Sequence, residues 1–234
     1  MNTQHLVSAL ALSFATLVAQ SASATPFVIT STLTGDIRLD NPDNLFVDVT
    51  ITGDTTSDQA LWTIDINSPD HTGIKLDEFY FNLVGDADDY VFSNFSPVDW
   101  AISTPATVQG AGGTTFLFET LKDDQQADNV TNTVNLTFTM TYLLGDITEA
   151  LFLDAPFAGS NDAGSGQLGA HLQSLTTAGN CGASGDCSDS GFAFGDYEGG
   201  GDPGGPPVGV PEPGVLVLLG LGAAGMGWAR RRRV

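Results

Sequence analysis

The chain has 234 residues and carries 28 Asp and Glu against seven Lys and Arg, for a formal net charge of −21. Four of the seven basic residues stand together near the carboxyl end, so the stretch from Thr25 to Val210 holds only Arg38, Lys75 and Lys122 against 27 acids, a net charge near −24. A surface of that sign repels phosphate backbones and anionic lipid, which excludes nucleic-acid binding; its length fits one domain.

The first predicted element is a cleaved signal peptide over residues 1–24. Leu6 to Val18 is an apolar run of the length a secretory signal needs, although no Lys or Arg precedes it. Ala22 and Ala24 are the small residues a signal peptidase pocket accommodates, placing the cut after Ala24 and the mature start at Thr25.

From there the chain reads as strands and turns. Thr133 to Tyr142 alternates apolar residues with Thr and Asn over ten positions, the period-2 signature of a strand with one buried face. Further strands are predicted at Phe27–Leu33, Leu45–Ile51, Leu61–Ile66, Phe79–Val84, Thr114–Phe118 and Ala150–Leu153, all rich in β-branched, aromatic or aliphatic residues. Turn formers such as Gly53-Asp54, Asn67-Ser68-Pro69-Asp70, Gly85-Asp86 and Gly110-Ala111-Gly112-Gly113 separate them, and Gly164-Ser165-Gly166 reads as another turn. No long 3.6-residue stripe occurs. The expected fold is all-β, an antiparallel β-sandwich of jelly-roll type over residues 25–198.

The body offers little that reads as catalysis. His71 and His171 have no partner at metal-ligand spacing, so zinc gains no support from the sequence. His171 reads as a structural side chain beside an apolar strand. No Gly-x-Ser-x-Gly elbow presents a nucleophile. The body is therefore expected to be no enzyme and to need no cofactor. Calcium is the better candidate ion, with Asp86, Asp88 and Asp89 in one loop, and Asp123, Asp124 and Asp128 in another, supplying hard oxygen ligands. The spacing does not satisfy an EF-hand, and solvated acidic turns explain these residues better than a calcium site does. Cys181 and Cys187 bracket five small or polar residues and are predicted to close a disulfide loop in an oxidising compartment. Two roles stay open for the body. As a carbohydrate-binding module it would expose Trp62, Tyr80, Tyr90 or Trp100 to stack on sugar rings; as a matrix protein it would bury them.

Residues 199–210 are dominated by Gly and Pro and read as a linker, followed by a three-part segment over 211–234. Pro211-Glu212-Pro213 comes first. Sixteen uncharged residues, 214–229, form a predicted single transmembrane helix, short against the roughly 20 residues of a full span and weakened by Gly220, Gly222, Gly225 and Gly227. Arg230, Arg231, Arg232 and Arg233 close it, and their cost in lipid holds them in the cytoplasm, leaving the preceding chain outside.

Val210-Pro211-Glu212-Pro213, the apolar run and the arginine block closely resemble the PEP-CTERM sorting signal of bacterial exported proteins. The resemblance implies recognition by an exosortase, transient membrane insertion through residues 214–229, and release or re-anchoring at the cell surface or in an extracellular matrix. Three further stretches, Lys75 to Leu83, Phe95 to Trp100 and Gly166 to Leu175, with Ser190-Gly191-Phe192 after them, resemble landmarks of small exported PEP-CTERM proteins without known enzymatic activity. Together these imply a non-catalytic surface or matrix protein associated with exopolysaccharide or biofilm, or alternatively a sugar-binding or calcium-dependent module tethered at the envelope.

Overall fold

The computed structural model describes residues 24–35, 44–104, 106–107, 115–122, 129–160, 164–176 and 189–199. Fifteen strands occur among them. They are β1 (Pro26–Thr34), β2 (Phe46–Asp54), β3 (Gln59–Ile66), β4 (Lys75–Phe81), β5 (Tyr90–Ser96), β6 (Trp100–Ser103), β7 (Ala106–Thr107), β8 (Thr115–Phe116), β9 (Phe118–Lys122), β10 (Leu136–Tyr142), β11 (Ala158–Ser160), β12 (Gly164–Gly166), β13 (Leu168–Gln173), β14 (Ser190–Gly195) and β15 (Glu198–Gly199). Among the described residues one short α-helix, α1, spans Ala150–Leu153, and a 3₁₀ turn spans Ala87–Asp89.

Eleven strands join one antiparallel sheet, running β5-β10-β3-β2-β1-β14-β13-β4-β9-β6 with β15 added beside β1. The two ends of this path, β5 and β6, are consecutive in the chain and separated only by residues 97–99, so the sheet curls round and nearly closes as a barrel. The antiparallel all-β expectation stands. In place of the two sheets of a jelly-roll sandwich there is one continuous, nearly closed path, which the sequence could not supply because pairings such as β3 with β10 and β4 with β9 join segments far apart in the chain.

Period-2 alternation builds the interior. Val47, Val49 and Ile51 of β2, Trp62, Ile64 and Ile66 of β3, and Leu136, Phe138 and Met140 of β10 all point inward and are buried. Phe81 of β4 and Phe118 of β9 stack at 5.0 Å, and Trp62 lies 5.3 Å from Phe138 with the two rings nearly parallel. Such pairs add about 0.5–1.5 kcal/mol each beyond area burial.

Two local expectations are corrected. Ala150–Leu153 is one helical turn, not a strand: Leu153 and Asp154 donate their backbone N–H groups to the carbonyls of Glu149 and Ala150. A four-residue apolar run fits either structure, and burying Leu151 together with Phe152, whose ring packs against Phe27 and Trp62, decides it. Gln167 holds this turn, its Nε2 donating to the carbonyls of Leu153 and Ala155 at 3.1 and 2.7 Å while its Oε1 accepts the Tyr197 N–H at 2.9 Å. Gly164-Ser165-Gly166 is likewise a strand, β12, paired with β11.

Candidate functional site

Tyr80 of β4 and Phe192 of β14 meet Phe116 of β8 and Ala158 of β11 in a second, smaller apolar cluster, with Phe194 packed against it. Beside it lie Asp77, Glu78 and His171. Alternation alone would send Asp77 and Glu78 to opposite faces. Opposite them, however, the β13 register passes from His171–Glu78 directly to Leu172–Leu76, leaving Asp77 as the extra residue of a β-bulge. The bulge shifts the phase of β4. Leu76 and Phe79, three positions apart, both face the core, and the two carboxylates between them share the His171 side.

His171 Nδ1 lies 2.9 Å from Asp77 Oδ2 and 3.3 Å from Glu78 Oε2, yet it is aligned with neither as a hydrogen-bond donor; the contact is ionic. The ring stacks on Phe192 at 4.5 Å with 12° between planes. Burial pushes the imidazole pKa down, and the two carboxylates more than reverse this, raising it to about 9. Gln173 Nε2 donates to Asp77 Oδ2 at 2.6 Å, and the Tyr80 hydroxyl donates to Glu78 Oε2. Burial, and then the hydrogen bond to Glu78 and its charge, hold Tyr80 above the usual phenol range. Glu119, opposite Tyr80 on β9, is raised by burial and by Glu78, an effect the Tyr80 hydrogen bond partly offsets. The three side chains thus form an acid-rich cluster with one imidazole, able to keep a proton at neutral pH or to offer one nitrogen and two oxygen ligands to a cation.

Sequence reasoning missed this site because its three members come from two strands 93 positions apart, and nothing in local spacing marks a bulge. Asp86, Asp88 and Asp89 do not form the three-ligand cluster of the described residues. Asp89 instead accepts the Asp86 N–H at 3.0 Å in a capping box around a short 3₁₀ turn. Asp123, Asp124 and Asp128 lie outside the described residues. His71 is buried, with Nδ1 accepting the Thr176 N–H at 3.1 Å, a structural role.

The structure also places the four candidate stacking residues. Trp62, Tyr80, Tyr90 and Trp100 are all buried, at 0, 1, 6 and 3% exposure. Each sits at a position whose alternation points it into an apolar cluster or between β5 and β6. Tyr90 and Trp100 reach the wall of a cleft of about 460 Å³ where those two strands part, together with Phe92, Phe95 and Phe118. The Trp100 indole donates to Asn129 Oδ1 at 2.9 Å, and Asn129 in turn donates to Asp99.

Ala22, Cys181, Cys187, Pro211, Glu212, Pro213 and Arg230 to Arg233 lie outside the described residues, and so does the predicted membrane segment 214–229; Ala24 opens them. Among the described residues no helix is long and apolar enough to cross a membrane. A family model for the PEP-CTERM protein-sorting motif matches residues 209–233. No curated protein and no solved structure matches the chain. The fold and the motif together define an antiparallel all-β protein that carries a carboxyl-terminal sorting signal. That signal implies exosortase-dependent export and sorting to the cell surface, with processing by an exosortase.

Proposed function

We propose that the chain is a non-catalytic matrix or surface protein whose acidic, nearly closed β-body is delivered into exopolysaccharide or biofilm. Signal peptidase removes residues 1–24, the segment 214–229 inserts transiently in the inner membrane, and exosortase acts near Pro211-Glu212-Pro213. A loop closed by Cys181 and Cys187 persists in the oxidising exterior. The motif match over 209–233 carries this reading. Burial of Trp62, Tyr80, Tyr90 and Trp100 supports a scaffold over a module that reads sugars with flat exposed rings. Replacing Pro211, Glu212 and Pro213 by alanine tests the sorting step. The apolar run and arginines remain, so the variant is expected to accumulate in the membrane fraction while the parent reaches the surface or matrix; equal distribution of the two refutes the reading. The alternative, a sugar-binding module, has the β5–β6 cleft in its favour, since Tyr90 and Trp100 reach its wall. Quenching of tryptophan fluorescence by the host's own exopolysaccharide, saturable and lost in Trp100→Leu, would favour it.

A further inference from the structure

Asp77 and Glu78 share one face only because of the bulge in β4, and the residue they meet there is an imidazole. Bulges that re-aim side chains concentrate next to functional sites. His171 Nδ1 is a buried atom, close to one oxygen from each carboxylate, and it makes a well-aligned hydrogen bond with neither. The separations of 2.9 and 3.3 Å have the scale of a coordination edge, since metal–ligand bonds of about 2.0–2.2 Å set neighbouring ligands about 3.0–3.5 Å apart. All three donor atoms lie within 4.8 Å of one another. Each oxygen is also held by a donor behind it, Gln173 on Asp77 and Tyr80 on Glu78, the arrangement that orients ligands in protein metal sites. Phe192 fixes the imidazole plane by stacking.

We propose that Asp77, Glu78 and His171 bind one divalent transition-metal ion of the zinc class, with Gln173 and Tyr80 as positioning residues and water completing the coordination. An imidazole with two carboxylates suits zinc or manganese, whereas calcium takes six to eight oxygen ligands and gains nothing from a ring nitrogen. This site is separate from the acidic turn at Asp86 to Asp89, and it serves a folded body whatever compartment receives it.

The test uses the full chain, purified without a histidine tag, stripped with chelator and titrated with Zn²⁺ by calorimetry at physiological salt. The expected result is one ion per chain, weakened at least about 100-fold by His171→Gln and about 10–100-fold by Tyr80→Phe. Asp88→Asn should leave affinity unchanged, and equimolar Ca²⁺ should not compete. Tyr80→Phe keeps the ring on Phe116 and so answers the question even where His171→Gln fails to fold. Ions bound at several sites, affinity indifferent to both substitutions, or displacement by Ca²⁺ would overturn the proposal in favour of diffuse attraction to the acidic surface. Absence of binding would overturn it too, leaving the imidazole and carboxylates as an internal ion pair.

Discussion

Trp62 is fully buried at the centre of the aromatic core, within 4.8 Å of Phe81 and 5.3 Å of Phe138, yet replacing it by phenylalanine is expected to change stability little. The reason is its indole Nε1, which has no hydrogen-bond partner. A buried N–H left without an acceptor costs the native state about 1–3 kcal/mol. Phenylalanine removes that donor, at a transfer and cavity cost of about 1–2 kcal/mol for the few atoms lost. The two terms oppose each other and their ranges overlap, so the net change should stay within about 1–2 kcal/mol of zero. Trp62→Ala has no such compensation, because it removes a ring touched by Phe79, Phe81, Phe138, Phe152 and Tyr197, and it should cost about 3–5 kcal/mol. Urea unfolding followed by far-ultraviolet circular dichroism, with the slope checked for constancy across variants, measures both. A loss of about 3 kcal/mol or more for the phenylalanine variant would refute the reasoning, since the indole donor would then have to be satisfied in the native state.

Three further outcomes follow from the same geometry. Gly166→Ala places a Cβ 2.5 Å from the Gly195 carbonyl oxygen, a backbone atom that cannot swing aside, and the urea midpoint should fall by the equivalent of about 2–3 kcal/mol. Gln167→Ala strips the carbonyls of Leu153 and Ala155 and the Tyr197 N–H of their buried partner, for an expected loss of about 2–4 kcal/mol, readable by thermal melting; a loss under about 1 kcal/mol would mean water replaces the amide. In chelator-treated protein, the His171 contribution should be complete below pH 6.5, where folded and unfolded chains both hold the proton, and should drain away as pH rises through about 9. Asp77 and Glu78 are the charges that face the ring, and their partial exposure keeps the effect at the order of 1–3 kcal/mol, absent in His171→Gln.

What could be read from the sequence and what could not divide along a physical line. Local alternation located β1, β2, β3 and β10 to within a few residues, because a strand with one buried face writes its period into consecutive positions. It placed β4 four residues late, since the bulge at Asp77 breaks the alternation where the strand begins. Ala150–Leu153 was ambiguous because four apolar residues satisfy a helical turn as well as a strand. The aromatic side chains were legible as important but not as buried; a ring on an alternating strand faces the core or solvent according to which neighbours the sheet brings, and the near-closure at β5 and β6 settled Tyr90 and Trp100. His171 read as an isolated imidazole because its carboxylates arrive across a strand pairing. The sorting signal, by contrast, is a linear message read by other proteins, and there the sequence suffices.

The central claim is delivery of an acidic β-body by its carboxyl-terminal signal, and intact mass spectrometry of the native protein, with membrane, surface and medium fractions analysed separately, tests it most directly. The account predicts a species beginning at Thr25 and ending near Pro213 in the surface or medium fraction. A membrane species still carrying Arg230 to Arg233, with no processed form elsewhere, would contradict it.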